Sequence, residues 1–268
     1  MQVLPFQGSS LPCITKADLL SMLAVPDLEQ ADIEHILERK ERVPTEDRAR
    51  AESILKTHQF QGWVVAPENR ELLVHGNFHA PHHYTSGLSV LCCHLIQALN
   101  STRRLHQVAF FCGRHIEDDD PYAGATGMIR SLVAQLLSQG PLECRAPDSQ
   151  VGDLSFVQYE HLNIEWLCNL FQGLVRELPD DASLFCFIDG IKFYERGEYI
   201  DEMSGVLAFL LNLTRDQHVR CVFKVLVTSP SETSVVRQAF DGRHILALTS
   251  MPRVEQMPSY ERVLRYME

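Results

Sequence analysis

The chain has 268 residues, with 24 Lys and Arg against 35 Asp and Glu and a formal net charge of −11. Such an acidic chain is not expected to bind nucleic acids or anionic membranes in general, because that binding needs clustered positive charge. Hydrophobic residues make up 45% of the chain, as in a globular protein. No apolar run approaches the roughly 18 residues that a membrane-spanning helix needs, so no membrane span is predicted.

The 8 cysteines indicate a reducing environment. No two of them are spaced as C-x-x-C, and most lie in apolar runs, among them Cys112, Cys186 and Cys221. Cysteines in such runs are typically buried and reduced. We therefore expect reduced thiols and a cytoplasmic protein.

Residues 1–58 are predicted to form a helical N-terminal segment. Thr15 and Asp18 have the spacing of a capping box, which predicts a short helix after Thr15. An apolar stripe over 28–37 predicts a second helix. A third helix, predicted over 44–56, carries charges of mixed sign and is expected to be solvated.

Residues 59–250 alternate between strand-like and helix-like segments. Strands are predicted near 71–76, 108–112, 184–189, 222–228 and 244–248. Helices are predicted over 88–99, 124–137, 164–178, 205–213 and 231–240. This alternation predicts an α/β fold, with a mainly parallel five-stranded sheet and helices on both of its faces. A long loop is predicted over 138–158, and residues 251–268 are predicted to form a helical tail.

The apolar residues on these strands and on the inner faces of the helices are expected to form the core. Both sides of a parallel sheet are covered in this architecture, so residues pointing to either side are buried. The residues predicted to be buried are Leu73, Phe110, Phe111, Leu132, Leu136, Phe185, Phe187, Leu226 and Val227.

A glycine-containing loop joins the first predicted strand to its helix. It begins with Gly76 and Asn77 and ends with Ser86-Gly87-Leu88-Ser89, where the helix opens. A phosphate-binding P-loop has the pattern G-x-x-x-x-G-K-[ST]. Leu88 stands in place of the lysine, and the loop is about six residues longer than that pattern.

Two later strands end in related patterns. Residues 184–190 read L-F-C-F-I-D-G, and residues 224–230 read K-V-L-V-T-S-P. In order and spacing, these segments and the glycine loop resemble the NACHT family of STAND-class P-loop NTPases. That family typically reads h-h-h-D-G-h-D-E in the first strand and K-h-L-h-T-S-R in the second. The resemblance implies that the two strands are neighbours and that the strand near 72 is central.

Three shorter segments extend the resemblance over roughly residues 59–250. Residues 110–112 read F-F-C, residues 130–137 read R-S-L-V-A-Q-L-L, and Phe60 and Trp63 form an F-x-x-W pattern. These segments are similar to fungal NACHT-like proteins. The resemblance implies a site for ATP or ADP with Mg²⁺, and its residues here would be Gly76, Asn77, Ser86, Gly87, Leu88, Ser89, Asp189 and Ser229.

The departures from the family pattern predict a loss of catalysis. Lys192 and Phe193 replace the acidic pair after Asp189, and Pro230 replaces the sensor arginine. A lysine about 4 Å from a phosphate, at an effective dielectric near 20, contributes roughly 4 kcal/mol that Leu88 does not supply. No catalytic residue is therefore assigned.

The histidines near the glycine loop allow two further interpretations. His79, His82 and His83 are weak zinc candidates, because imidazole ligates zinc but no Cys or carboxylate lies at ligand spacing. His82 or His83 would be the first candidates for a replacement positive charge, although an unperturbed histidine is mostly neutral at pH 7. A solvated or partner-facing loop is the simpler interpretation.

We expect a catalytically degenerate NACHT-like module that acts in protein interaction or regulation. An inert scaffold, weak nucleotide binding without turnover and a working NTPase all stay open, with a nucleotide-dependent STAND-type switch as the main alternative. An unrelated α/β enzyme is a third class, but the chain has no G-x-S-x-G and no H-E-x-x-H motif. The expected partners are proteins, with no nucleic acid.

Overall fold

A computed structural model describes residues 15–78, 84–100, 104–117, 119–139, 162–250 and 257–267. The strands are β1 (Arg70–His75), β2 (Leu105–Phe111), β3 (Ser183–Asp189), β4 (Val222–Ser229) and β5 (Ile245–Ala247). The helices are α1 (Lys16–Leu23), α2 (Leu28–Glu38), α3 (Thr45–Glu52), α4 (His58–Val65), α5 (Gly87–Leu99), α6 (Gly124–Gln139), α7 (Ile164–Glu177), α8 (Ile200–Leu213) and α9 (Tyr260–Met267). This alternation confirms the predicted α/β class.

The five strands form one parallel sheet in the order β2-β3-β4-β1-β5. The expectation that β3 and β4 are neighbours is confirmed. The expectation that β1 is the central strand is wrong, because β4 holds the middle position and β1 lies between β4 and the three-residue β5. The carboxyl ends of β1, β3 and β4 still meet at one edge of the sheet.

The sheet divides the core into two apolar clusters. Alternate residues of β3 point to opposite sides, so that Phe185 and Phe187 join one cluster while Leu184 and Ile188 join the other. Residues of α1, α6, α7 and α8 belong to the Leu184 side, and residues of α2, α4, α5 and α9 belong to the Phe187 side. All nine residues predicted to be buried are buried.

The six cysteines in the described residues are buried and unpaired, as predicted. Burial raises the pKa of each of these thiols, Cys186 and Cys221 among them. They are therefore packing residues rather than nucleophiles. No helix in the described part of the chain is long and apolar enough to cross a membrane.

The helix predicted over 231–240 is absent, and that prediction is wrong. The segment instead forms short 3₁₀ turns over Val236–Ala239 and Gly242–His244. Residues 231–236 are mostly Ser, Thr and Val, which have low helix propensity. Glu195 accepts hydrogen bonds from the backbone amides of Ser234 and Val236 at 2.8 and 3.0 Å and so caps the short turn that forms there.

The helix expected to be solvated is half buried. α3 ends at Glu52, a 3₁₀ turn continues from Ser53 to Lys56, and Ala49, Ala51 and Glu52 are buried. Alanine side chains have little apolar surface, so they give only a weak apolar pattern in the sequence. The charged residues on the outer face of α3 therefore dominate the pattern and lead to the prediction of a solvated helix. The inner face packs closely on α5.

The other sequence predictions for the ends of elements and for loops are mostly close. The capping box of Thr15 and Asp18 is present at the start of α1. α8 begins at Ile200, five residues before its predicted start. The predicted loop over 138–158 lies outside the described residues from position 140 onward, and the described part of the predicted C-terminal tail contains α9.

A buried histidine joins the N-terminal helices to the sheet domain. The His115 ring contacts two carboxylates, with Nε2 at 2.8 Å from Asp32 of α2 and Nδ1 at 2.7 Å from Asp120. Both ring nitrogens can donate only when the imidazole is protonated. Burial alone would lower the pKa of His115, but the hydrogen bonds and charges of Asp32 and Asp120 outweigh it and raise the pKa.

We expect Phe187→Ala to lower the free energy of unfolding by about 3–5 kcal/mol, because it leaves a cavity in a fully buried core. Denaturant titration measures this loss. The control is Val65→Ala, at a side chain that is 77% exposed, and it should change stability by less than about 0.5 kcal/mol. A loss of less than about 1 kcal/mol for Phe187→Ala would contradict the assignment of this core.

The His115 contact predicts pH-dependent stability. Its pKa is raised on folding, so its contribution is fully present below pH 6.5, the ordinary histidine value, and is lost as pH rises through the folded-state pKa. We therefore measure the free energy of unfolding of wild type and of Asp32→Asn from pH 5.5 to pH 9. The difference, wild type minus variant, should decrease as the pH rises. His58→Gln, at an exposed histidine, should leave the wild-type profile unchanged, and identical profiles for wild type and Asp32→Asn would refute the assignment.

Candidate functional site

The turn that begins α5 is closed by its own hydrogen bonds. The Ser86 hydroxyl accepts from the Ser89 amide at 3.2 Å, and the Ser89 hydroxyl accepts from the Ser86 amide at 3.0 Å. The Val90 amide donates to the Ser86 carbonyl at 3.2 Å. Amides of a first helical turn are the groups that bind phosphate in a P-loop. At α5, the amide of Ser89 and that of the N-cap residue Ser86 already have partners within the turn, while the Val90 bond is the ordinary first bond of the helix.

Gly87 lies in direct contact with the backbone of α3. A Cβ atom added at Gly87 would lie 2.4 Å from the Asp47 carbonyl oxygen. Only glycine allows this approach, since real Cβ contacts are longer. The glycine that resembles a phosphate-loop glycine in the sequence therefore lets two helices pack together.

Leu88 points into the core. It is fully buried and belongs to the apolar cluster on the α5 side of the sheet. A lysine at this position would place its charge in that cluster at a cost of several kcal/mol. Substitution with lysine is therefore expected to destabilise the fold rather than to restore a phosphate contact.

Asp189, at the end of β3, is the buried carboxylate of the site. It accepts a hydrogen bond from the Thr228 hydroxyl, and the Ser89 hydroxyl is also hydrogen-bonded to it. Burial raises the pKa of Asp189 to about 6 despite these bonds. The structure thus brings Ser89 and Asp189 together, as predicted for a site at the carboxyl edge of a parallel sheet.

Gly76, Asn77 and Ser229 connect the ends of β1 and β4. The Gly76 amide donates to the Ser229 carbonyl at 2.8 Å, and the Ser229 hydroxyl donates to the Ser231 carbonyl at 2.6 Å. Asn77 adopts a left-handed φ of 49° and contacts Thr249 at 3.4 Å. After Ser229 the chain continues into short 3₁₀ turns rather than an α-helix.

The Phe78 ring lies against Gly76. A Cβ atom at Gly76 would come within 2.4 Å of this ring. Phe78 is itself buried among the apolar residues on the α5 side of the sheet. The start of the loop is therefore closed over by an aromatic side chain at the place where a P-loop turns around phosphate.

The residues after Asp189 have structural partners. Lys192 pairs with Glu195 at 2.7 Å, and the Phe193 ring packs edge-on against the Tyr84 ring at a centroid distance of 5.3 Å. Burial acts to raise the pKa of Glu195, but Lys192 and the amides of the following turn outweigh it and lower the pKa to about 2. The ammonium of Lys192 is thus neutralised locally.

The histidines on and beside the glycine loop divide into two groups. His79, His82 and His83, the weak zinc candidates, lie outside the described residues. His75 is buried at the end of β1, and its Nε2 lies 2.9 Å from the Thr233 hydroxyl. Within the described part of the chain, no group of three His, Cys, Asp or Glu side chains is placed to hold a metal ion.

The described residues fit only part of a nucleotide site. Ser89 and Asp189 supply a hydroxyl and a carboxylate of the kind that Mg²⁺ accepts. Leu88 and Pro230 supply no charge for phosphate, and the first turn of α5 is capped from within. Sequence reasoning missed the role of Glu195, because nothing in the spacing of residues indicates that a side chain will cap a turn about 40 residues away.

Gly87→Ala should lower the free energy of unfolding by about 1–3 kcal/mol, because the added methyl group overpacks the contact with α3. The matched control is Gly173→Ala in α7, where an added Cβ meets nothing within 4 Å. The control should raise stability by up to about 1 kcal/mol, since alanine favours helix more than glycine does. Unchanged stability of Gly87→Ala would indicate that Gly87 is not a packing residue.

Comparison with known families identifies the relationship of this domain. No curated protein sequence matches the chain. The family model described as nephrocystin 3, N-terminal matches residues 50–229, more than half of the chain. The matched region runs from the last residues of α3 to the end of β4 and includes Gly87, Ser89 and Asp189. The chain therefore belongs to the nephrocystin 3 N-terminal family.

Proposed function

We propose that this chain is a regulatory or protein-interaction module with a P-loop-like fold, degenerate in the NACHT-like sense, that does not hydrolyse nucleotides. The observation that carries the proposal is the closed start of α5. There the Ser86–Ser89 capping box uses the amides of Ser86 and Ser89, and α3 packs directly on Gly87. Packing and internal hydrogen bonds therefore take up part of the place where phosphate would bind.

The electrostatics support the same proposal. Phosphoryl transfer depends on positive charge held at the γ-phosphate. Leu88 and Pro230 carry no charge, and Lys192 is paired with Glu195. The net charge of −11 provides no general attraction for an anionic nucleotide. Turnover would therefore lack the interaction that contributes most to the chemistry.

A second candidate function is a nucleotide-dependent switch, and one observation favours it. Ser89 and Asp189 are adjacent, in the arrangement that would hold Mg²⁺ beside a nucleotide. Asp189 must lose its proton to bind a cation, and its pKa near 6 allows this at neutral pH. In this alternative, ATP or ADP with Mg²⁺ binds without rapid turnover.

A hydrolysis assay and calorimetry test these two functions. The purified 268-residue chain should release no phosphate from ATP or GTP above the buffer rate, because Leu88 and Pro230 supply no positive charge for the γ-phosphate. ATP and ADP should bind weakly or not at all, and Mg²⁺ should not change this. The Asp189→Asn variant should behave as wild type in both measurements.

Two results would contradict the proposed function. Turnover by wild type that is lost in Asp189→Asn and kept in Gly173→Ala would establish an enzyme, with His82 and His83 as the first residues to examine for the missing charge. Mg²⁺-dependent binding without turnover, lost in Asp189→Asn, would establish the switch instead.

A further inference from the structure

The C-terminal helix α9 lies in a groove between α3 and α5. Val263 is its buried apolar side chain, and it joins the core cluster on the α5 side of the sheet. The Tyr260 ring packs on the His94 ring of α5 at a centroid distance of 5.0 Å. Burial, with smaller contributions from Lys40 and Arg48, lowers the pKa of His94 to about 4, so this ring is uncharged at neutral pH.

A single carboxylate anchors α9 to the groove. Glu52 of α3 accepts a hydrogen bond from the Ser259 amide at 2.7 Å, and its other oxygen lies 3.0 Å from the Arg262 guanidinium. Glu52 is buried, and burial raises its pKa. A buried carboxylate needs partners that donate to it, so the groove selects for a helix that begins above Glu52 and presents a cation to it.

The groove is incompletely filled. A pocket of about 130 Å³ remains beside Val263; it is lined by apolar and aromatic side chains such as Val90, Leu91 and Tyr260, and by the charged side chains of Lys40, Glu41, Arg48 and Glu52. This volume exceeds the roughly 30 Å³ that one water molecule occupies in the liquid. Since packing gains rise with the volume filled, a helix with a longer side chain at the position of Val263 would fit the groove better than α9 does.

Few side chains of α9 are buried. Among its described side chains Val263 is the buried one, while Tyr260, Arg265 and Tyr266 are exposed. An isolated helix of eight residues is not stable in water. The attachment of α9 therefore depends on Val263, on the Tyr260–His94 ring contact and on the bonds to Glu52, and a better-fitting helix can replace it.

We propose that the groove between α3 and α5 is a docking site for a partner's amphipathic helix, and that α9 is its intramolecular occupant. The partner helix carries an arginine opposite Glu52 and, at the next position, a leucine where α9 has Val263. This inference rests on the proposed role in protein interaction. Gly87, at the start of α5, lines the same groove, so displacement of α9 alters the surroundings of the first turn of α5.

Fluorescence anisotropy with a labelled peptide tests the proposal on the full chain. The peptide has the sequence of residues 257–268 with leucine in place of Val263. The hosts are wild type and Val263→Asp, in which a charge at the buried position releases α9. The peptide should bind Val263→Asp at least tenfold more tightly than wild type, because an attached competitor acts at a high effective concentration.

Two controls tie the binding to this groove. Glu52→Gln in the Val263→Asp host should lower the affinity for the peptide at least fivefold. Glu46→Gln, at an exposed position of α3, should leave that affinity unchanged. The peptide with valine retained should bind more weakly than the leucine peptide. Hydrogen exchange should show loss of protection in α9 of Val263→Asp with unchanged protection in β3 and β4, which verifies that the host is folded.

Three results would overturn the inference. The first is that a Val263→Asp host whose sheet keeps its hydrogen-exchange protection does not bind the peptide. The second is that Glu52→Gln does not change the affinity for the peptide. The third is that wild type forms dimers in which α9 is exchanged between copies. The last result would assign the groove to a second copy of the chain. Nucleotide turnover leaves these measurements unaffected, so failure here is distinguishable from failure of the proposed non-hydrolytic function.

Discussion

The contact between the α3 backbone and Gly87 determines much of the arrangement around it. It allows α3 to pack on the first turn of α5, and this packing buries Ala49 and Ala51 on the inner face of a highly charged helix. The same contact covers the end of the helix where a P-loop protein would expose its amides. It also forms one wall of the groove that holds α9. A single close approach therefore links the N-terminal helices, the carboxyl edge of the sheet and the C-terminal helix.

Three buried or half-buried polar side chains near the carboxyl edge of the sheet and the N-terminal helices find their partners within the chain. Asp189 is hydrogen-bonded by hydroxyls, Glu195 by backbone amides and a lysine, and His115 by two carboxylates. Each arrangement satisfies a group whose burial would otherwise be unfavourable. A site that binds ligands needs groups with unmet hydrogen-bonding capacity. Asp189 and Ser89 are hydrogen-bonded to each other, and burial still raises the pKa of Asp189 to about 6.

The sheet could be predicted from the sequence because its signals are local. Runs such as 184–188 are continuously apolar, and their spacing with helical segments indicates parallel pairing. Contacts made by backbone atoms could not be predicted in this way. The first turn after β4 is capped by the distant Glu195, and the role of Gly87 depends on a carbonyl 40 positions earlier in the chain. A glycine before a helix has the same local sequence pattern whether its backbone approaches a phosphate or another helix. Only the three-dimensional structure distinguishes the two cases.

The strand order has a consequence for how the chain acquires its structure. β1 is synthesised early, but both of its neighbours, β4 and β5, lie about 150 residues or more further along. Its edges therefore stay unpaired until nearly the whole domain has left the ribosome. Long-range parallel pairing is slow, and exposed apolar strands aggregate during the delay. The N-terminal helices are synthesised before β1, and those that cover one of its faces in the folded domain can shield its apolar residues during this delay.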